Sequence, residues 1–213
     1  MRQVLWGYRE LFRNLVLKDL RLKYRGSWLG VLWSLLHPLL MIAVYWLAFE
    51  YIISFRVKRF PLFLLVGIFH WQAFHQAIKA SGRAIVGNAN LIKQALVPHE
   101  LLPLAIAISS FLQLFFALVI MIPILGFVQH SISWNTLFYL PAALLHLTFT
   151  AGVALAVAAL TVFYRDLEHL MDVGLRLLFW LTPFIYPFSI VPKGLARVLQ
   201  FNPLVPFIIT YQD

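Results

Sequence analysis

The stretch KDLRLKYRGSWLGVLWSLLHPLLMIAVYWLAF (Lys18–Phe49) decides how this chain is read. Lys18, Arg21, Lys23 and Arg25 crowd its first turns, and the next charged residue is Glu50. A basic cluster set directly against a long uncharged run suits a chain passing from the headgroup layer into hydrocarbon. Lys and Arg favour the anionic surface, and each costs roughly 3 kcal/mol at the bilayer centre.

Composition agrees. The chain of 213 residues is 62% hydrophobic and 12% charged, where a soluble domain carries about 25% charged residues. Seven Trp and nineteen Phe suit a wet–apolar boundary, where an aromatic ring can satisfy both sides. The net charge of +9 does not point to nucleic acid, because the basic residues border apolar runs instead of forming one face of a soluble body. With no cysteine, disulfides, thiolate metal sites and a cysteine nucleophile are excluded.

A helix needs about 20 apolar residues to cross hydrocarbon. Trp28–Phe49, Phe60–Ile78, Leu101–Gln129 and Trp134–Tyr164 are uncharged and close to or beyond that length. Leu177–Pro192 is a shorter fifth run, interrupted by Pro183 and Pro187. The first run is too long for the hydrophobic region of a cleavable signal. Placing the N-terminus in the cytoplasm puts twelve Lys and Arg inside and five outside, the favoured sense. Arg56, Lys58 and Arg59, on the outer side, run against it.

Residues 1–25 are predicted to form an amphipathic helix. Val4, Leu5, Tyr8, Leu11, Phe12, Leu15 and Leu22 share one face, with Asp19 intruding on it. Such a helix can lie in the headgroup plane. Gly26 would end it and Ser27 would cap the next, which makes KYRGSW a corner between lying on the membrane and crossing it. The loop Ser81–Pro103 carries Leu91, Ile92, Leu96 and Val97 at helical spacing, so a short helix there needs lipid or a partner to cover it. Five of the eleven prolines fall between Pro183 and Pro206. No straight span can cross that stretch, and short broken or re-entrant helices over 182–207 are expected.

Catalytic signatures fail at their necessary positions. Gly82–Gly87 has the GxxxxG spacing of a phosphate loop, but Asn88 and Ala89 stand where Lys and Ser or Thr must follow. His70 and His75 are on different helix faces, and no HExxH occurs, so no metal site is expected. FYRDLEHL (Phe163–Leu170) is read as a solvated turn with a local ion pair instead of an acid–base site. No catalytic residue is assigned, and no cofactor is expected on this chain.

LKYRGSWLGVLWSLLHPLL, NANLIKQALVPHELLP, VFYRDLEHL, LFWLTPFIYP and FNPLVPFI, in this order, resemble the permease of ABC-2 type polysaccharide exporters, which move O-antigen, capsule or teichoic-acid chains. The resemblance runs over nearly the whole chain and is more specific for the permease class than for the cargo. It implies an all-α polytopic fold, with one permease domain over residues 1–213. Within it an interfacial helix spans 1–27, membrane spans cover 28–192 with a cytoplasmic coupling loop over 81–98, and an outer segment covers 182–207. It also implies a homodimer in the bacterial inner membrane, a separate ABC ATPase that holds ATP and Mg, membrane lipid around the chain, and a lipid-linked polysaccharide as cargo.

By the same resemblance, Asn88, Asn90, Leu91, Ile92 and Lys93 would meet the ATPase. Arg21, Lys23, Tyr24 and Arg25 would meet the pyrophosphate of a lipid carrier at the entrance. Trp71, Phe74, Trp180 and Tyr186 would line a glycan path, although such rings in a bundle more often pack. The family continues past TYQD with a sixth span, so a chain ending at Asp213 is expected to be a fragment holding five spans or broken spans. The alternatives are an ABC-2 permease for a drug or lipid, an intramembrane glycan-processing enzyme, for which no acid or metal pair is found, and a non-catalytic scaffold.

Overall fold

A computed structural model describes residues 8–24, 32–52, 60–95, 97–129 and 136–212. Among them there is no strand. The helices are α1 (Arg9–Tyr24), α2 (Leu32–Leu47, continued by a π turn over Ala48–Ile52), α3 (Phe60–Gly82), α4 (Ala89–Ala95), α5 (Leu101–Gln129), α6 (Thr136–Phe163), α7 (Leu167–Trp180), α8 (Lys193–Leu199) and α9 (Val205–Gln212). Residues 1–7 of the predicted first helix, the Arg25–Ser27 corner, the Arg56–Arg59 loop and Leu96 lie outside the described residues.

Among the described residues, two helices are long and apolar enough to cross a membrane, over Leu101–Ile120 and Tyr139–Phe163, while Leu35–Tyr51 is apolar but shorter. Of the four expected runs, Leu101–Gln129 and Trp134–Tyr164 contain these two helices, and residues 28–31 of the first expected run lie outside the described residues. α3 runs for 23 residues, but His70, Gln72, His75, Gln76 and Lys79 dilute its apolar character. α2 carries Pro38, which removes a helical hydrogen bond. After Trp180 the chain breaks into a turn, a 3-10 turn over Phe188–Ile190, α8 and α9, which follows from the prolines spaced along it.

The chain divides into two compact units. The first takes residues 1–31, 73–113 and 147–174. Its core joins Leu15 and Val16 of α1 to Ala84, Val97, and Leu101, Leu102 and Ala105 of α5, with Leu11, Phe12, Leu20, Leu91 and Ile92 packed around them. The apolar stripe of α1 is thus spent largely on its own chain, although Leu22 remains 51% exposed.

The second unit takes residues 32–72, 114–146 and 175–213. Trp71 stacks on Phe184 at 5.5 Å, and Phe179 meets both edge-on. A Cβ at Gly67 would come within 2.6 Å of Phe184 Cβ and 2.9 Å of its carbonyl oxygen, so only glycine lets α3 and the 181–186 turn approach this closely. Asn202 fixes that turn. Its Nδ2 donates to Leu181 O at 3.1 Å and to Thr182 Oγ1 at 2.9 Å, and its Oδ1 accepts from Leu204 N–H at 2.9 Å.

Candidate functional site

The segment between α3 and α5 is built to present one face. Asn88 Nδ2 donates to Ala84 O at 2.9 Å, which closes the turn leading into α4. Leu91 and Ile92 are half-buried against the α1–α5 core and help anchor α4, with part of each side chain left uncovered. The outward residues are Val86, Gly87, Ala89, Asn90, Lys93 and Gln94. Of the expected coupling residues, Asn90 and Lys93 are therefore free to meet a partner. Asn88 holds the turn, and Leu91 and Ile92 hold the helix. Gly82 and Gly87 do not form a phosphate cradle, because one ends α3 against Met171 and the other lies in the 3-10 turn.

This segment is braced by two ion pairs. Arg83 Nε donates to Glu168 Oε2 at 2.8 Å, with Nη2 at 2.7 Å from the same oxygen, and Lys79 Nζ lies 2.8 Å from Asp172 Oδ1. The Glu168 carboxylate raises the Arg83 pKa further. Glu168 was expected in a local pair within its turn. Its partner instead lies 85 positions away, because the end of α3 lies beside the start of α7. Arg165 and Asp166 stay exposed.

The entrance residues sit at the end of α1. Arg21 is exposed, the Tyr24 side chain is not described, and Arg25 lies outside the described residues. Lys23 Nζ donates to Gln76 Oε1 at 3.2 Å and lies 3.9 Å from Asp19 Oδ2. Burial lowers its pKa, and Asp19 partly offsets that by favouring the charged form. Asp19 in turn accepts a hydrogen bond from Ser109 Oγ of α5. That contact explains the acid on the apolar face of α1. The sequence marked the anomaly, but nothing in it named Ser109 or Gln76 as partners.

The rings expected along a glycan path divide. Trp71 and Phe74 are buried, and Phe74 stacks on Phe149 at 6.2 Å, so both serve packing. Trp180 is 60% exposed, and Tyr186 Oη donates to Trp180 O at 2.9 Å. A buried polar group lies in the second unit, at a histidine inside an apolar run. His70 Nδ1–H donates to Val66 O at 2.7 Å, Nε2 accepts from Tyr139 Oη at 2.9 Å, and the ring stacks on Tyr211 at 3.8 Å. Among the described residues no group of three His, Cys, Asp or Glu could hold a metal ion.

A family model described as ABC-2 type transporter matches residues 10–212. An O-antigen export system permease protein RfbA of Myxococcus xanthus is 32% identical over 211 residues, covering 98% of this chain and 81% of its own length. Another RfbA, of Klebsiella pneumoniae, is 30% identical over 197 residues, covering 92% of this chain and 76% of its own. The polysialic acid transport protein KpsM of Escherichia coli is 23% identical over 203 residues, covering 90% and 75%.

Proposed function

The chain belongs to the ABC-2 type transporter family, and on that premise we propose that it is the membrane permease of an ATP-driven exporter of lipid-linked polysaccharide. The observation that carries this is similarity along nearly the whole chain to permeases named for O-antigen export and polysialic acid transport. The chain itself has no phosphate loop with the lysine and hydroxyl that nucleotide hydrolysis needs. Energy must then come from a separate ABC ATPase, which holds ATP and Mg. We place the N-terminus in the cytoplasm of a bacterial cell, with the chain in the inner membrane as one half of a homodimer.

In this reading the ATPase meets Val86, Asn90, Lys93 and Gln94, the outward side of the α4 segment. The carrier's phosphates meet Arg21, Lys23 and Arg25. Of the four rings expected along a glycan path, Trp180 is the most exposed, and a glycan stacks only on an uncovered aromatic face. A lipid-linked chain offers a charged phosphate and stackable sugars together, and the chain provides cations at one place and exposed aromatic surface at another.

Deleting the gene in its host and staining surface glycan tests the function. The expected result is loss of surface polysaccharide, accumulation of lipid-linked glycan inside, and recovery with the wild-type gene. Unchanged surface glycan would overturn the reading.

A further inference from the structure

A carboxylate on a buried helix face must be partnered, because water no longer solvates it. The Asp19 side chain is 25% exposed, and Ser109 is fully buried. The Ser109 hydroxyl is shared, lying also 3.0 Å from Ile106 O. One turn on, Lys23 is 26% exposed and 3.9 Å from the same Asp19 oxygen, too far for a good charge-assisted hydrogen bond. Its hydrogen bond runs instead to Gln76 of α3. The ammonium carries three donors, so Gln76 and a loosely engaged carboxylate leave it with capacity to spare.

A phosphate is a stronger partner for this ammonium than a carboxylate at that distance. It is also repelled by Asp19, since both are anions. A phosphate taken up on the spare donor would draw Lys23 toward it and weaken its 3.2 Å hold on Gln76, loosening α1 from α3, while Asp19 and Ser109 still hold α1 to α5. We propose that Lys23 is a shared cation, held at rest by Asp19 and Gln76 and in the loaded state by a phosphate of the cargo, with Asp19 the competing anion that sets how tightly phosphate is held. This rests on the exporter reading for the identity of the cargo. It goes beyond it in giving Asp19, Ser109 and Gln76 roles as positioning residues.

The test is calorimetric titration of the full chain in zwitterionic nanodiscs, with geranyl diphosphate in one arm and inorganic pyrophosphate in the other. Lys23→Gln is expected to weaken binding about tenfold. Asp19→Asn is expected to tighten it about fivefold, the effect of removing one negative charge a few Å from another near water. Ser109→Ala releases the same hydrogen bond but keeps the charge, and should change affinity less than about twofold. If Ser109→Ala matches Asp19→Asn, the effect comes from loosening α1 and the shared-cation idea falls. It falls also if Asp19→Asn binds no tighter than wild type, or Lys23→Gln no weaker. Preference for the prenyl form supports it with a lipid carrier as ligand, and equal affinity in both arms supports it with the phosphate alone recognised. If wild type and variants bind neither ligand, the idea is overturned, while the exporter reading is judged separately by surface glycan.

Discussion

The two units of this chain are held together by different means. The unit of residues 1–31, 73–113 and 147–174 contains Glu10, Asp19, Glu100, Asp166, Glu168 and Asp172, six of the eight acidic residues. It ties its helices with ion pairs and with a patch of leucine, valine and alanine. The unit of residues 32–72, 114–146 and 175–213 relies on stacked rings, a buried histidine and close backbone approach. The contrast sets exchangeable contacts in one unit against dense packing in the other. Ion pairs in water are weak and can be exchanged. Interlocked rings form a dense packing that yields little.

Glycine substitutions sharpen this comparison most. At Gly67 a Cβ meets the Phe184 Cβ and backbone, whereas at Gly82 it meets the Met171 Cε, 2.5 Å away, at the free end of a flexible side chain. Gly67→Ala should destabilise by about 2 kcal/mol, as overpacking does. Gly82→Ala should lie near neutral, because Met171 can move aside and alanine gains about 1 kcal/mol in helix propensity. Thermal unfolding in detergent, with both variants side by side, checks this. Equal losses would erase the distinction between the units.

A smaller effect is expected at the ion pairs. Arg83→Glu alone should lower the unfolding temperature only slightly, since the Arg83 side chain is 78% exposed and solvent screens the pair. The double variant Arg83→Glu with Glu168→Arg should recover most of that at low salt and little at high salt. A loss as large as that of Gly67→Ala, or no recovery by the swap, would show that Arg83 does something other than pair with Glu168.

Much of this was legible in the sequence, and the limits have physical causes. Periodicity marked an amphipathic helix over residues 1–25, of which the described part carries α1 over Arg9–Tyr24, and proline placement marked the break after Trp180, because both are local properties of the backbone. Partner identity is not local. Glu168 finds Arg83, Asp19 finds Ser109 and His70 finds Tyr139 across separations of 69 positions or more, which no spacing rule encodes. Leu91 and Ile92 illustrate the same limit. Their helical spacing marked an apolar face needing cover, but could not say that α1 and α5 supply it. Asp19 is the instructive exception, since a carboxylate breaking an apolar stripe signals a hidden partner even when the partner cannot be named.

In the proposed exporter, the outward side of the segment around α4 receives the ABC ATPase. The most direct test is co-purification, in detergent, of the chain with the ABC ATPase of the same host, for wild type and for Val86→Asp with Lys93→Glu. Both side chains face outward, so the unfolding temperature should not change. The account predicts that wild type retains the ATPase and the double variant loses it. Full retention by the double variant, or no ATPase bound to the wild-type chain, would contradict it.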